Sequence, residues 1–201
     1  MSENLVNLDC KIETEPTQQA SYGLYKIFEF VGSCKRESGK VDKFKIQFSS
    51  GTFSDELKVG DFIHIFGELR TIKVFSKEDN KKFTRVYIHA TSLKVISEPK
   101  VYVNSIVIKG YPLAKDATPR KAYSDDSIDV TELVIQVPRS RNKLSYIPCT
   151  TWNNLARLSA NLEKGDIISI NGRLQSHIIA NGSILVEVSV AYIEKEEKGV
   201  D

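Results

Sequence analysis

Two stretches decide how this chain is read: Lys58-Val-Gly-Asp-Phe-Ile-His-Ile-Phe-Gly-Glu-Leu-Arg-Thr71 and Glu163-Lys-Gly-Asp-Ile-Ile-Ser-Ile-Asn-Gly-Arg-Leu-Gln-Ser176. They align without gaps at a constant offset of 105: Gly60-Asp61 falls on Gly165-Asp166, Ile63 on Ile168, Ile65 on Ile170, Gly67 on Gly172 and Leu69 on Leu174. Each copy reads as a tight turn followed by a strand. A glycine inside a strand marks a bulge or a sharp bend, as at the corner of a small barrel.

The flanks repeat as well. Asn4-Leu-Val-Asn-Leu-Asp-Cys10 resembles Asn104-Ser-Ile-Val-Ile-Lys-Gly110 at an offset of 100, and Arg85-Val-Tyr-Ile-His-Ala90 resembles Ser183-Ile-Leu-Val-Glu-Val188 at an offset of 98. The falling offset makes the second copy's last hairpin seven residues shorter. Each copy then holds an opening strand, two middle strands, a connecting segment, the Gly-Asp strand and a final strand. Five strands with one inserted helix is the layout of an OB-fold barrel. The expected architecture is all-β, two tandem five-stranded OB-fold barrels. The first covers residues 1–98 and the second 99–195, with a short charged tail over 196–201. Pro99, in Ser97-Glu98-Pro99-Lys100, marks the boundary.

Composition agrees. Isoleucine and valine total 37 residues against 23 for alanine and leucine, and β-branched side chains suit a pleated surface. The 201 residues carry a net charge of +2, are 41% hydrophobic and 27% charged, as in an ordinary globular protein. No stretch approaches the ~18 apolar residues of a membrane helix, and Met1 to Glu13 shows no secretory pattern. Cys10, Cys34 and Cys149 are odd in number and scattered, and His64, His89 and His177 lie far apart. Neither a disulfide framework nor a zinc site is expected; a reducing cytoplasm is the simplest setting.

In the second copy Asn153 is placed to cap a helix, with Leu155, Leu158 and Leu162 at helical spacing and Gly165 ending it. In the first copy only Phe53-Ser-Asp-Glu-Leu57 fills this place, one turn at most.

The ligand face follows from alternation along Leu144-Ser-Tyr-Ile-Pro-Cys-Thr-Thr-Trp152. Ile147 and Cys149 should point inward; Tyr146, Pro148, Thr150 and Trp152 share the outer parity. Just before lies Arg139-Ser-Arg-Asn-Lys143, giving Arg139, Arg141 and Lys143 with no acid among them. Cations beside outward aromatics suit a single-stranded nucleic acid, whose phosphates need charge and whose unstacked bases need flat rings. The competing readings are a tryptophan that plugs the barrel end and a solvated turn.

The first copy offers a longer basic hairpin. Arg70, Lys73, Lys77, Lys81, Lys82 and Arg85 face only Glu78 and Asp79, and Phe75 and Phe83 flank the tip. A middle hairpin adds Lys35, Arg36, Lys40, Lys43 and Lys45, with Phe44 and Phe48 nearby; Phe30 and Phe48 could equally be core. Such hairpins are where OB barrels take oligonucleotides.

With these residues in view, the second half resembles bacterial single-stranded DNA-binding proteins. The resemblance rests on Asn104 to Gly110, Val137-Pro-Arg-Ser-Arg141, Tyr146-Ile-Pro-Cys-Thr-Thr-Trp-Asn-Asn-Leu-Ala156 and Leu162-Glu-Lys-Gly-Asp-Ile-Ile-Ser-Ile-Asn-Gly-Arg-Leu-Gln175. It covers about half the chain, and the internal repeat extends it to the rest. It implies sequence-tolerant binding of single-stranded DNA in replication, repair or recombination, close to the nucleoid. It places Trp152 where a base stacks and Arg139, Arg141 and Lys143 on a hairpin that tracks the backbone. Arg173 lies in the last of these segments and Arg157 directly follows the third; both join the candidate contacts. Family members commonly assemble four barrels, so a homodimer is expected here. The family's acidic tip is not seen in Glu196-Glu-Lys-Gly-Val-Asp201, which puts recruitment of repair enzymes through it in doubt; replication or repair proteins stay among the candidate partners.

An enzyme is not expected. Asp125, Asp126 and Asp129 form the one acidic cluster and read as a solvated loop, and no Walker loop or nucleophile triad can be placed. No cofactor or metal is implied. The rival readings are a protein-interaction module of a replication or recombination complex and a binder of single-stranded RNA.

Overall fold

The computed structural model describes residues 3–53, 56–76, 81–113, 119–122, 125–139 and 143–196. In the first half these form β1 (Glu3–Ile12), β2 (Thr17–Tyr22), β3 (Tyr25–Lys35), β4 (Val41–Ser49), β5 (Phe62–Ser76) and β6 (Lys81–Ile96). In the second half they form β7 (Asn104–Pro112), β8 (Arg120–Ala122), β9 (Asp125–Pro138), β10 (Leu144–Trp152), α1 (Asn154–Ser159), β11 (Ile168–Ile178) and β12 (Ile184–Lys195). The all-β expectation holds.

Both halves trace the same circuit. In the first, β1 pairs antiparallel with β5, β5 with β6, β6 parallel with β4, β4 antiparallel with β3, and β3 returns to β1. In the second, β7 pairs with β11, β11 neighbours β12, β12 runs parallel with β10, β10 pairs with β9, and β9 returns to β7. Each circuit closes a ring of five strands. The interior follows the period-2 pattern: Leu8, Phe30, Phe44, Ile46, Ile65 and Ile88 fill one ring, Ile106, Ile135, Ile147, Ile170 and Val188 the other.

The repeated Gly-Asp turns are built alike. Gly60 and Gly165 sit at φ 95° and 94°, where a side chain would strain the backbone. The Asp61 carboxylate accepts the Lys58 N–H at 2.9 Å, and the Asp166 carboxylate accepts the Glu163 N–H at 2.8 Å. The interior glycines meet a second demand. A Cβ on Gly67 would lie under 3.0 Å from the His89 carbonyl oxygen, and one on Gly172 equally close to that of Ser189. At Gly67 the β5–β6 register also slips, between Phe66 and Gly67, which is the bulge expected from sequence.

Several expectations are corrected. Each half carries a sixth strand: β2 pairs with β3 through a two-residue turn at Gly23-Leu24, and β8 pairs with β9. Asp125 to Asp129 is not a loop but the start of β9. The helix has six residues and ends well before Gly165. Asn153 makes no side-chain cap; it turns the chain through φ 52° instead. The buried face of α1 is Ala156 and Ser159, whereas Leu158 is exposed. A buried hydroxyl set seats the helix: Thr131 Oγ1 donates to the Ala156 carbonyl, and Thr151 bonds Ser159 at 2.8 Å. In the first half Phe53, Glu56 and Leu57 form no helix; Ser54 and Asp55 lie outside the described residues. Phe44 and Phe48 belong to the core, not to a ligand face.

The chain divides into two compact units that are not contiguous in sequence. One is Leu5–Ser105 with Leu174–Val186; the other is Met1–Asn4, Ile106–Arg173 and Glu187–Asp201. Within the first unit the Asp42 carboxylate, fully buried, accepts the Ser176 N–H at 2.8 Å, and Ser176 Oγ accepts the Lys43 N–H. Asn104 accepts the Leu174 N–H and donates to its carbonyl.

All three cysteines are free and buried. Burial, aided by the Asp42 charge, pushes the Cys34 thiol up to about 12; burial drives Cys10 and Cys149 up too. The thiolate is the reactive form. Native protein at neutral pH is therefore expected to leave all three thiols unlabelled by a disulfide reagent, with full labelling in guanidinium; prompt native labelling would contradict the burial.

Candidate nucleic-acid interface

The outer face of β9 and β10 carries the sequence-predicted aromatics. Ile147 and Cys149 are buried, as alternation requires, and Tyr146 and Trp152 lie on the other parity. Trp152 ends β10 opposite Val130 and is 38% exposed; Tyr146 lies opposite Gln136 and is half-buried. The six residue steps between them span about 20 Å at the usual strand rise. Thr150, on the same parity, is covered, and its hydroxyl donates to the Glu187 carboxylate at 2.6 Å. Neither aromatic is among the residues filling the ring of strands. Trp152 offers apolar surface beside solvent, which is what an unstacked base requires, and Tyr146 is partly covered.

The β9–β10 hairpin carries cations at the end of this strand pair. The Arg139 N–H donates to the Lys143 carbonyl at 2.7 Å, closing the turn. Lys143 is exposed and Arg139 half-exposed; Arg141 lies outside the described residues.

The other candidate cations are placed differently. Arg157, on α1, reaches the Asp129 carboxylate at 2.8 Å, and Lys121 holds the same carboxylate at 2.8 Å. Hydrogen bonds from Lys121 and then Arg157 hold that carboxyl below the usual aspartate range. Arg36 makes a bidentate pair with buried Asp42 at 2.5 and 2.6 Å. Arg70 pairs with Glu68. Arg85 donates to Glu29 at 3.0 Å. Arg173 is half-buried on β11. Lys35 and Lys73 are exposed.

The long β5–β6 hairpin does not present its basic residues as one row. Arg70 lies opposite Tyr87, Ile72 opposite Arg85 and Val74 opposite Phe83. Alternation puts Arg70, Ile72, Phe83 and Arg85 on one face and Lys73 with Thr84 on the other. Phe75, Lys81 and Lys82 fall on strand positions whose side chains lie outside the described residues; Lys77 is outside them altogether.

The sequence reading missed the tip of the β2–β3 hairpin. Tyr22 and Tyr25 are directly paired and both exposed, and Leu24 between them is 95% exposed. The signal was present: Tyr22-Gly-Leu-Tyr25 is a two-residue turn, and Gly23 takes φ 61°. It missed Glu29 as well, a carboxylate that gathers neighbouring cations.

Residues 103–197 match the model of the single-strand binding protein family. No curated protein matches the chain. Among solved structures, a deletion mutant of the single-stranded DNA binding protein from Thermus aquaticus is similar with a TM-score of 0.77 at 18% identity, covering 100% of this chain and 97% of that one. The wild-type form of that protein gives 0.76 at 19%, covering 100% and 96%. Likeness at this identity shows the fold, an OB-like all-β architecture over the whole chain.

Proposed function

We propose that this chain, which carries the single-strand binding protein family's domain over residues 103–197, binds single-stranded DNA without regard to sequence and shields it during replication, repair or recombination. Both rings are read as OB barrels in tandem, and two chains would supply four. The observation that carries the reading is the outer face of β10: an exposed Trp152 and a half-exposed Tyr146 on the strand that the Arg139–Lys143 hairpin opens. Stacking on these rings tolerates any base, because every base has a flat face. The cations of the hairpin, Arg141 included, neutralise phosphates and release counterions. Lys35, Lys73, Lys81 and Lys82 extend the charged path in the first half, with Phe75 as a further stacking ring. Arg36, Arg70, Arg85, Arg157 and Arg173 stand behind these, since each already has bonding partners within the fold. The chemistry offered is adhesion without catalysis, in a reducing cytoplasm.

The test is a titration with a dT homopolymer, read by tryptophan emission and repeated from about 50 to 200 mM salt, where phosphate-dominated binding falls steeply. Binding with a steep slope supports the reading. Silence in dilute buffer removes it, and a preference for the matching RNA would reassign the ligand. Charge reversal of Arg139 and Arg141 together is expected to flatten the slope by about 0.7 for each phosphate left without its cation. A slope equal to wild type would take that hairpin out of the binding path.

A further inference from the structure

The two rings differ on the face where stacking is proposed. The parallel pairings set Ile46 beside Ile88 in the first ring and Cys149 beside Val188 in the second, which fixes the equivalence of the two sheets. In the second ring the adjoining outer rungs of the β9–β10 pairing are Glu132–Thr150 and Val134–Pro148. In the first, the matching rungs of β3 and β4 are Glu29–Gln47 and Val31–Lys45. Both rings carry a carboxylate here, Glu29 and Glu132, but a lysine stands where the second ring has Pro148, and Glu132 is exposed and paired with Arg120 alone among the described residues.

The Glu29 carboxylate is 9% exposed and is saturated by donors from two neighbouring strands. Gln47 Nε2 donates to it at 2.7 Å, the Arg85 guanidinium at 3.0 Å, and Lys45 Nζ lies 3.5 Å away. Arg85 is drawn in so far that its Nε is buried with no hydrogen-bond partner among the described residues. A buried, hydrogen-bonded ion pair is costly to break, because it leaves a charge unmatched. The two cations are thus committed to an internal anion at the place where a phosphate would otherwise be held.

We propose that Glu29 is an internal competitor for the nucleic-acid backbone. By occupying Lys45 and Arg85 it sets the affinity of the first ring's β3–β4–β6 face below that of the second ring. This rests on the DNA-binding reading and goes beyond it, by assigning unequal shares to the two rings and one residue as the cause.

The experiment compares Glu29→Gln with wild type in dT homopolymer binding across a salt series. The glutamine keeps the shape and an acceptor for Gln47 and Arg85 but removes the charge. Glu29→Gln is expected to bind about fivefold more tightly at low salt, with the slope steeper by up to about 1.4 for two newly available cations. Lys45→Ala alone is expected to change affinity by less than about twofold, since a neutralised cation has little left to give a phosphate. In the Glu29→Gln background the same change should take back much of the gain. Equal or weaker binding by a folded Glu29→Gln overturns the proposal. So does a fivefold loss from Lys45→Ala alone, which decides the matter even where Glu29→Gln does not fold. A wild-type protein that binds no dT removes the DNA-binding reading, and that result is distinct from Glu29→Gln matching a wild type that binds.

Discussion

Trp152→Ala is expected to weaken binding of a dT homopolymer by about 1–3 kcal/mol, the usual worth of one stacking platform. That is roughly five- to 150-fold in dissociation constant. The loss should appear in anisotropy of a labelled oligonucleotide, because the variant has no tryptophan left to report. In the wild type the single tryptophan makes quenching a report on one position. Trp152→Phe should keep most of the affinity, since a smaller ring still stacks. Unchanged affinity in the alanine variant, together with an unquenched wild type, would make Trp152 a plug at the end of its ring. Its exposure argues against a plug: a side chain filling a barrel end would be covered by its neighbours.

The second large effect is on stability. Gly172→Ala would push a methyl group into the Ser189 carbonyl, and Gly67→Ala would do the same at His89. The obstacle in each case is backbone of the adjacent strand, which cannot swing aside as a side chain can. Overpacking of this kind costs about 1–3 kcal/mol, and a chain of this size loses about 2–4 °C of melting temperature per kcal/mol. A thermal melt followed by circular dichroism should show both variants lowered by several degrees. Gly51→Ala is the control: a Cβ there meets nothing within 4 Å, and its melt should match wild type. A Gly172→Ala melt that also matched would mean the strands can separate locally at no cost.

Much of the fold was legible because it is written twice. The Gly-Asp pair, the interior glycine and the alternating isoleucines each have a local physical cause, and a coincidence of three at one offset leaves little room for another reading. Alternation along β10 also gave the correct inward and outward sets. Other features depend on what lies across the sheet. Leu155, Leu158 and Leu162 have helical spacing, yet the space above β9 and β10 accepts only Ala156 and Ser159, held by hydroxyls from Thr131 and Thr151. Asp129 reads as a solvated acid until β8 places Lys121 beside it. Arg36, Arg70, Arg85 and Arg157 look like free cations along the sequence. Their carboxylate partners lie two to 56 positions away, a separation that composition cannot convey.

The tip Leu174–Val186 has a practical consequence for anyone wishing to work with a shortened polypeptide. Stopping translation after residue 98 would remove the Ser176 amide that Asp42 relies on and the hydroxyl that receives the Lys43 amide. Asp42 would keep its Arg36 pair, but each lost hydrogen bond contributes about 0.5–1.5 kcal/mol, and the apolar area that the segment covers is lost with them, against a marginal total for a piece of that length. The amino-terminal piece is therefore expected to melt early or stick to itself. Dissecting the two halves calls for point substitutions in the intact molecule, with scissors kept away from the midpoint.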